Sequence, residues 1–315
     1  MIDNLLFSLN ATLPVFLLMV TGYVFKRKGV VTQDLAAGMN TLVFKVTLPV
    51  LLMQELATAD FMAVWDTKFV LYCFVATVLS IALVMIVSRF IRDRSVRGEF
   101  IQAAYRSSAA LLGVAFINNI YGESQMAALM IIGAVPVYNI MAVIVLSLTD
   151  PQNDRIDMAV IRKTLMGVIT NPIIVGIEMG VIWSVLKLPM PVWCDNYLKR
   201  IGNLATPLGL IAMGALIDFS KIKGSLKEAV AASFFKLIGL EMIFLPLAVA
   251  MGFRKEQLVA IMIMLGSATT VSCYVMARNM HHEGTLTSTA VGITTILSSF
   301  TLTFWIFLAR SMGWI

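Results

Sequence analysis

Charge is what this chain lacks most. Only 13% of its 315 residues are Asp, Glu, Lys or Arg, about half the roughly 25% of a water-soluble domain. Disordered chains and nucleic-acid binders need charge in quantity, so both classes are excluded. Cysteine is sparse too. Cys73, Cys194 and Cys273 are scattered and form no CxxC pair, which excludes a disulfide-stapled secreted fold. The two histidines stand in His281-His282-Glu283 with no cysteine nearby, so no metal site is expected. No HExxH, GxSxG or Walker phosphate loop occurs, and neither enzyme chemistry nor a cofactor is expected.

Hydrophobic residues take up the deficit, at 59% of the chain. Apolar runs fall at approximately 5–25, 34–54, 67–88, 99–119, 125–148, 167–186, 200–217, 229–251, 256–279 and 285–309. A transmembrane helix needs about 20 such residues. The expected fold is therefore an all-α polytopic membrane protein of ten transmembrane helices, forming one domain over 1–315. The opening Met1-Ile-Asp-Asn carries no basic residue, so the first run is expected to be a retained helix rather than a signal peptide.

Basic residues set the orientation. Loops after odd-numbered runs hold Lys26, Arg27, Lys28, Arg89, Arg92, Arg94, Arg97, Arg155, Arg162, Lys163, Lys221, Lys223, Lys227 and Arg278, fourteen in all. The opposite side holds seven: Lys68, Lys187, Lys199, Arg200, Arg254, Lys255 and Arg310. The positive-inside rule makes the richer side cytoplasmic and both termini extracytoplasmic, in the cell membrane. The sequence also repeats. Thr12, Pro14, Gly22 and Pro49 recur 158 residues later as Thr170, Pro172, Gly180 and Pro207. A repeat of five spans must re-enter the bilayer from the other side. The two units, 1–150 and 160–315, are thus expected to be inverted, with a binding site near the midplane between them.

Five charges remain inside the runs: Lys45, Arg106, Glu178, Lys236 and Glu241. Charge at bilayer depth is costly unless paired or hydrated, which makes each a functional candidate. Lys45 and Arg106 either touch a ligand or its coupling machinery, or, for Arg106, snorkel to the surface. Lys236 and Glu241 lie five apart, too far round an α-helix for the i,i+4 pair. With Glu178 they are expected to form structural pairs between helices. Runs 4 and 9 are rich in small and hydroxyl residues around Gly113 and Gly266. Such residues allow close helix crossing, or an interrupted helix whose exposed amides hold an anion. Tyr138-Asn139, after Pro136, is either a kinked helix with a back-bonded Asn or part of a polar pathway.

Several strings carry a resemblance. Asn40-Thr-Leu-Val-Phe-Lys45-Val-Thr-Leu-Pro49, Arg106-Ser-Ser-Ala-Ala-Leu-Leu-Gly113 with Tyr121-Gly122, Asn171-Pro172, and Gly202-Asn-Leu-Ala-Thr-Pro207 through Gly214 resemble segments of the auxin efflux carrier family. The resemblance runs over nearly the whole chain. It implies ten helices in two inverted five-helix repeats with non-helical crossovers in spans 4 and 9. It also implies a scaffold and a transport domain, elevator movement and a homodimer. Family members include plant PIN-type auxin carriers and bacterial malate or malonate permeases, so the implied substrate is a small organic carboxylate. By the same resemblance Ser108 and Gly113 face substrate from span 4, and Thr269, Thr270 and Ser272 from span 9. Arg106 either offers a bidentate carboxylate partner or pairs with an acid elsewhere, and Asn118 and Asn139 are further substrate-binding candidates. The sequence departs from the family where it has Ala115 and Cys273 for the crossover prolines, and Ser108 for the substrate-contacting Asn.

The expected function is a secondary transporter of a small organic carboxylate, driven either by the gradient of a coupling ion, proton or sodium, or by the substrate's own gradient. The alternative is a channel or receptor-like membrane protein without alternating access. The loop count makes a direct prediction. Cysteines replacing Lys28 and Lys187 should label from opposite sides of the membrane, Lys28→Cys from the cytoplasm only. An impermeant maleimide applied to intact cells decides it, and labelling of both from one side would overturn the orientation.

Overall fold

A computed structural model describes residues 2–58, 61–122, 125–149, 162, 166, 170–216 and 226–315. The described elements are all helical. They are α1 Ile2–Arg27, α2 Gln33–Leu42, a π turn Val43–Thr47, α3 Leu48–Thr58, α4 Phe61–Val64, α5 Thr67–Ser88, α6 Arg97–Tyr105, α7 Ala109–Tyr121 and α8 Gln125–Leu148. There follow α9 Pro172–Val185, α10 Val192–Gly202, α11 Ala205–Leu216, α12 Leu226–Phe234, a second π turn Phe235–Gly239, α13 Leu240–Ala250, α14 Lys255–Gly266, α15 Ser272–Asn279 and α16 Thr285–Ser311. Of the basic residues used for orientation, Arg155, Lys163, Lys221 and Lys223 lie outside the described residues.

Among the described residues six helical stretches are long and apolar enough to cross a bilayer: Ile2–Arg27, Gln33–Thr58, Thr67–Ser88, Gln125–Leu148, Leu226–Ala250 and Thr285–Ser311. The chain is a multi-pass membrane protein. Local chemistry marks its helix ends. The Asp66 side chain caps α5 by accepting from Phe69 N–H at 3.0 Å. Gly122 ends α7 in the left-handed region, φ 80°, where a side chain would be strained. Asn171 caps α9 and Pro172 occupies its first turn, where a missing N–H costs nothing.

Two expected spans are interrupted. Run 4 is α6 and α7, parted at Arg106–Ser108; run 9 is α14 and α15, parted at 267–271. Run 7 also differs from its expected form. A separate helix, α10, precedes Asn203 and Leu204, and α11 follows them. The first break lies ahead of Gly113, and Ala115 is ordinary helix within α7. Cys273 is the second residue of α15. The missing family prolines therefore do not stand at the breaks, and the chain opens without them.

Element boundaries echo the 158-residue displacement. The interrupted pair spans Arg97–Tyr121 in one half and Lys255–Asn279 in the other, with the same offset at both ends. Packing echoes it as well. Gly22 of α1 lies against the backbone of Ile211 in α11, while Gly180 of α9 lies against the backbone of Met53 in α3. Gly180 is Gly22 displaced by 158, and Met53 is Ile211 displaced back by 158. The same contact is thus made twice with its partners exchanged. At both, only the absence of a side chain lets the backbones approach. A Cβ on Gly180 would stand 2.7 Å from Met53 O.

Gly22→Val should therefore lower stability by about 1–3 kcal/mol through overpacking, seen as a lower thermal midpoint in detergent. Gly38→Ala is the control, because nothing lies within 4 Å of its added Cβ. Equal midpoints for the two variants would show that the α1–α11 seam tolerates separation.

Candidate functional site

Breaking a helix inside lipid orphans carbonyls on one side and N–H groups on the other. Here the two breaks satisfy each other. Ser107 and Thr269 form an antiparallel bridge, and Ser108 N–H donates to Ala268 O at 2.8 Å. Thr269 Oγ1 donates to Ala103 O at 2.8 Å, and its N–H donates to Thr294 Oγ1 of α16 at 3.0 Å. The last carbonyls of α14 take side-chain donors. Tyr138 hydroxyl donates to Met264 O at 3.1 Å, Ser107 Oγ donates to the same oxygen, and Lys236 Nζ donates to Leu265 O.

The N-terminal ends of α7 and α15 are left without a side-chain cap. They meet at a cavity of about 180 Å³ lined by Arg106, Ser107, Ser108, Asn139, Asn171, Thr270 and Ser272 among others. A second cavity, about 330 Å³, shares Phe44, Ser108, Leu111, Thr270 and Ser272 with it and extends to Asn40 and Lys45. Two helix N-termini directed at one space give it a positive potential.

Arg106 sharpens that potential. Its side chain is buried at 6% exposure. Its guanidinium donates to Asn139 Oδ1, to Gln102 Oε1 at 3.2 Å and toward Met276 Sδ at 2.7 Å, all neutral. Among the described residues Arg106 makes no ion pair within 4 Å, so it has no carboxylate partner there. It is held inside the protein by neutral acceptors and does not snorkel outward. Asn139 lies on the cavity wall, where its Oδ1 accepts from Arg106.

Of the expected substrate residues, the structure brings together Arg106, Ser108, Asn139, Thr270 and Ser272 at these cavities. The others stand elsewhere. Gly113 packs against Met130 of α8. Asn118 points to Glu55 of α3, donating to its Oε1 at 3.4 Å. Thr269 is fully buried and spends both its groups on the break. Hydroxyl-rich composition marked the region, but it does not tell a side chain that seals the backbone from one that faces the cavity.

The intramembrane charges need correction too. Glu178 is exposed on α9 beside an apolar recess lined by Trp65, Pro136 and Ile177, and makes no ion pair within 4 Å among the described residues. Lys45 is exposed on the wall of the larger cavity. Lys236 and Glu241 are fully buried, yet they are not pairs between helices. The π turn Phe235–Gly239 holds more residues per turn than an α-helix. It turns both side chains toward the same end of α14: Lys236 reaches Leu265 O and Glu241 lies over Gly266. Pro14 lies inside α1, Pro49 and Pro207 in the first turns of α3 and α11.

Sequence reasoning passed over Ser107, Phe44 and Asn171. Asn171 was legible as a helix cap, and its Oδ1 accepts from Ile173 N–H at 2.9 Å; its place at the cavity comes only from packing. Nothing in the sequence distinguished Ser107 from Ser108.

Interrupted apolar helices around an electropositive cavity in a multi-pass chain define a membrane transport protein. The comparisons agree. The family model "Membrane transport protein" matches residues 7–306. A relative described as an uncharacterized transporter, from Methanothermobacter thermautotrophicus, is 22% identical over 303 residues, covering 95% of this chain and 97% of its own. The lysosomal cholesterol signaling protein of Mus musculus is 24% identical over 254 residues, covering 75% of this chain and 29% of its own. The chain belongs to the membrane transport protein family, the auxin-efflux-carrier-like transporters.

Ser107→Ala removes a donor to Met264 O and an acceptor for Lys236. It should lower stability by about 1–3 kcal/mol, the cost of buried polar groups left short of partners. Thermal unfolding in detergent measures it, and an unchanged midpoint would mean the contact carries no load.

Proposed function

We propose that this transporter moves a small organic carboxylate through the paired cavities by alternating access. One observation carries the reading: a buried guanidinium in the cavity wall whose partners are all neutral. An uncompensated buried charge costs several kcal/mol, and an arriving carboxylate would relieve that cost through paired N–H···O bonds. Ser108, Thr270 and Ser272 supply hydroxyls, and the uncapped starts of α7 and α15 supply N–H groups and dipole.

The same proposal takes the fold as ten spans in two inverted five-helix repeats, 1–150 and 160–315, in the cell membrane with both termini outside. The exchanged glycine contacts and the matched boundaries of the interrupted pairs support the repeat. Elevator-type movement, a homodimer and a coupling ion belong to this reading through the family. Interior-negative potential opposes anion import by about 2.3 kcal/mol per charge per 100 mV, so import requires a cotransported cation or exchange.

Reconstitution in liposomes with labelled malate, malonate, lactate and indole acetate tests the substrate class. At least one should be taken up saturably, and Arg106→Gln should abolish that uptake while folding is kept. Arg106→Lys should restore little of it, because an ammonium lacks the planar fork. If none of the acids moves or stabilises the protein, the carboxylate assignment fails. Conductance without saturation would favour the channel alternative.

A further inference from the structure

We propose that Glu241 is a proton-binding carboxyl, and that its charge is passed to the anion cavity through Lys236 and Ser107. Protonation and anion binding then reinforce one another. The second half of this rests on the anion reading of the cavity.

The geometry begins with Lys236. Its side chain is fully buried, and its ammonium meets three oxygens: Ser107 Oγ, Leu265 O and, at 3.4 Å, Met264 O. Three acceptors match the three donors of an ammonium and hold the group in place; in this proposal it is the cation. It sits at the carbonyl end of α14, where a positive charge is favoured. It also holds Ser107, which lines the smaller cavity between Arg106 and Ser108. Lys236 is therefore a link between the buried end of α14 and the cavity wall.

Glu241 is the opposite case. It is equally buried, yet neither carboxyl oxygen has a hydrogen-bond partner. It makes no ion pair within 4 Å among the described residues. Its carboxyl occupies the space beside Gly266 that any side chain at 266 would fill. A carboxylate with no donor is the form that burial penalises. A proton taken from the aqueous phase removes that penalty and leaves the Lys236 charge uncompensated.

Among the described residues no other carboxyl acts on Glu241 or Lys236. From α5 come Tyr72, whose hydroxyl donates to Phe244 O, and Cys73. From α8 comes Tyr138, bonded to Met264 O. From α15 comes Cys273, which lies near Lys236 and also near Arg106 of the first break, and from α16 the neutral Trp305, which donates to Leu237 O. On α6, Glu99 is already held by Gly284 N–H and by the N–H and hydroxyl of Thr287. Neutral Glu241 thus leaves two cations near the cavity, Lys236 bonded to Ser107 and Arg106 next to Ser107 in the chain. That arrangement favours an anion in the cavity.

Two measurements on the reconstituted full chain test the proposal. In the first, infrared difference spectra on acidification should show a protonated-carboxyl band that Glu241→Gln removes. Glu241→Asp should move it, which serves if the first variant does not fold. Absence of a titrating band in the wild type, or its persistence in E241Q, overturns the proton site. In the second, Ser108→Cys is placed in a chain with Cys73, Cys194 and Cys273 changed to Ala, and its labelling rate by a charged methanethiosulfonate is followed against pH. The rate relative to the same chain with E241Q should change across the pH range; a constant ratio overturns the link to the cavity. Malonate should bind about tenfold tighter to the wild type in acid than in alkali, an ordinary coupling, and E241Q should lose the difference. Should malonate fail to bind while the band and the labelling respond, the carboxylate reading falls and the proton site stands.

Discussion

The whole architecture depends on one constraint: a backbone that leaves the helix inside a membrane must find hydrogen-bond partners within the protein. Two breaks facing each other meet it jointly. Ser108 N–H reaches Ala268 O, Thr269 reaches Ala103 O, and the end of α14 draws on Ser107, Tyr138 and Lys236. Each break alone would be costly. Together they form a closed unit whose unspent groups, the N-terminal ends of α7 and α15, open onto the cavity. The polar character of the site follows from how the backbone is repaired.

That unit sits against helices held at close range. Gly22 and Gly180 permit backbone contact along the α1–α11 and α3–α9 seams, where association cannot draw on the hydrophobic effect as it does in water. The seams use small residues to bring helices together, whereas the breaks use hydroxyls and a lysine. The division is physical. Small residues permit dense packing over long helices, and donors are needed only where regular structure stops.

Much of this was legible in the sequence, for identifiable reasons. Low charge and recurring apolar runs made a multi-pass helical chain unavoidable, and Pro14, Pro172 and their companions recur at a 158-residue displacement that the ends of the interrupted helix pairs share. Arg106 stood out because charge is rare at such depth. Less was visible at finer scale. A π turn leaves no composition signal, so Lys236 and Glu241 were placed on the wrong faces by α-helical spacing. Thr269 and Thr270 are chemically identical neighbours, yet one seals the backbone and the other faces the cavity. Asn118 looked like part of the polar centre but lies a full α7 away from it, beside Glu55.

The π turn at Val43–Thr47 has a counterpart at the same offset, and there the chain is cut instead, at Asn203 and Leu204 between α10 and α11. The two halves solve one local problem differently. Lys236 has an aliphatic match, Val78, and Arg106 matches Met264. In the proposed alternating-access carrier, perfectly equivalent inverted halves would make the inward-open and outward-open forms equal in energy. These differences remove that degeneracy, and the proposed carrier rests toward one side of the membrane before any solute arrives.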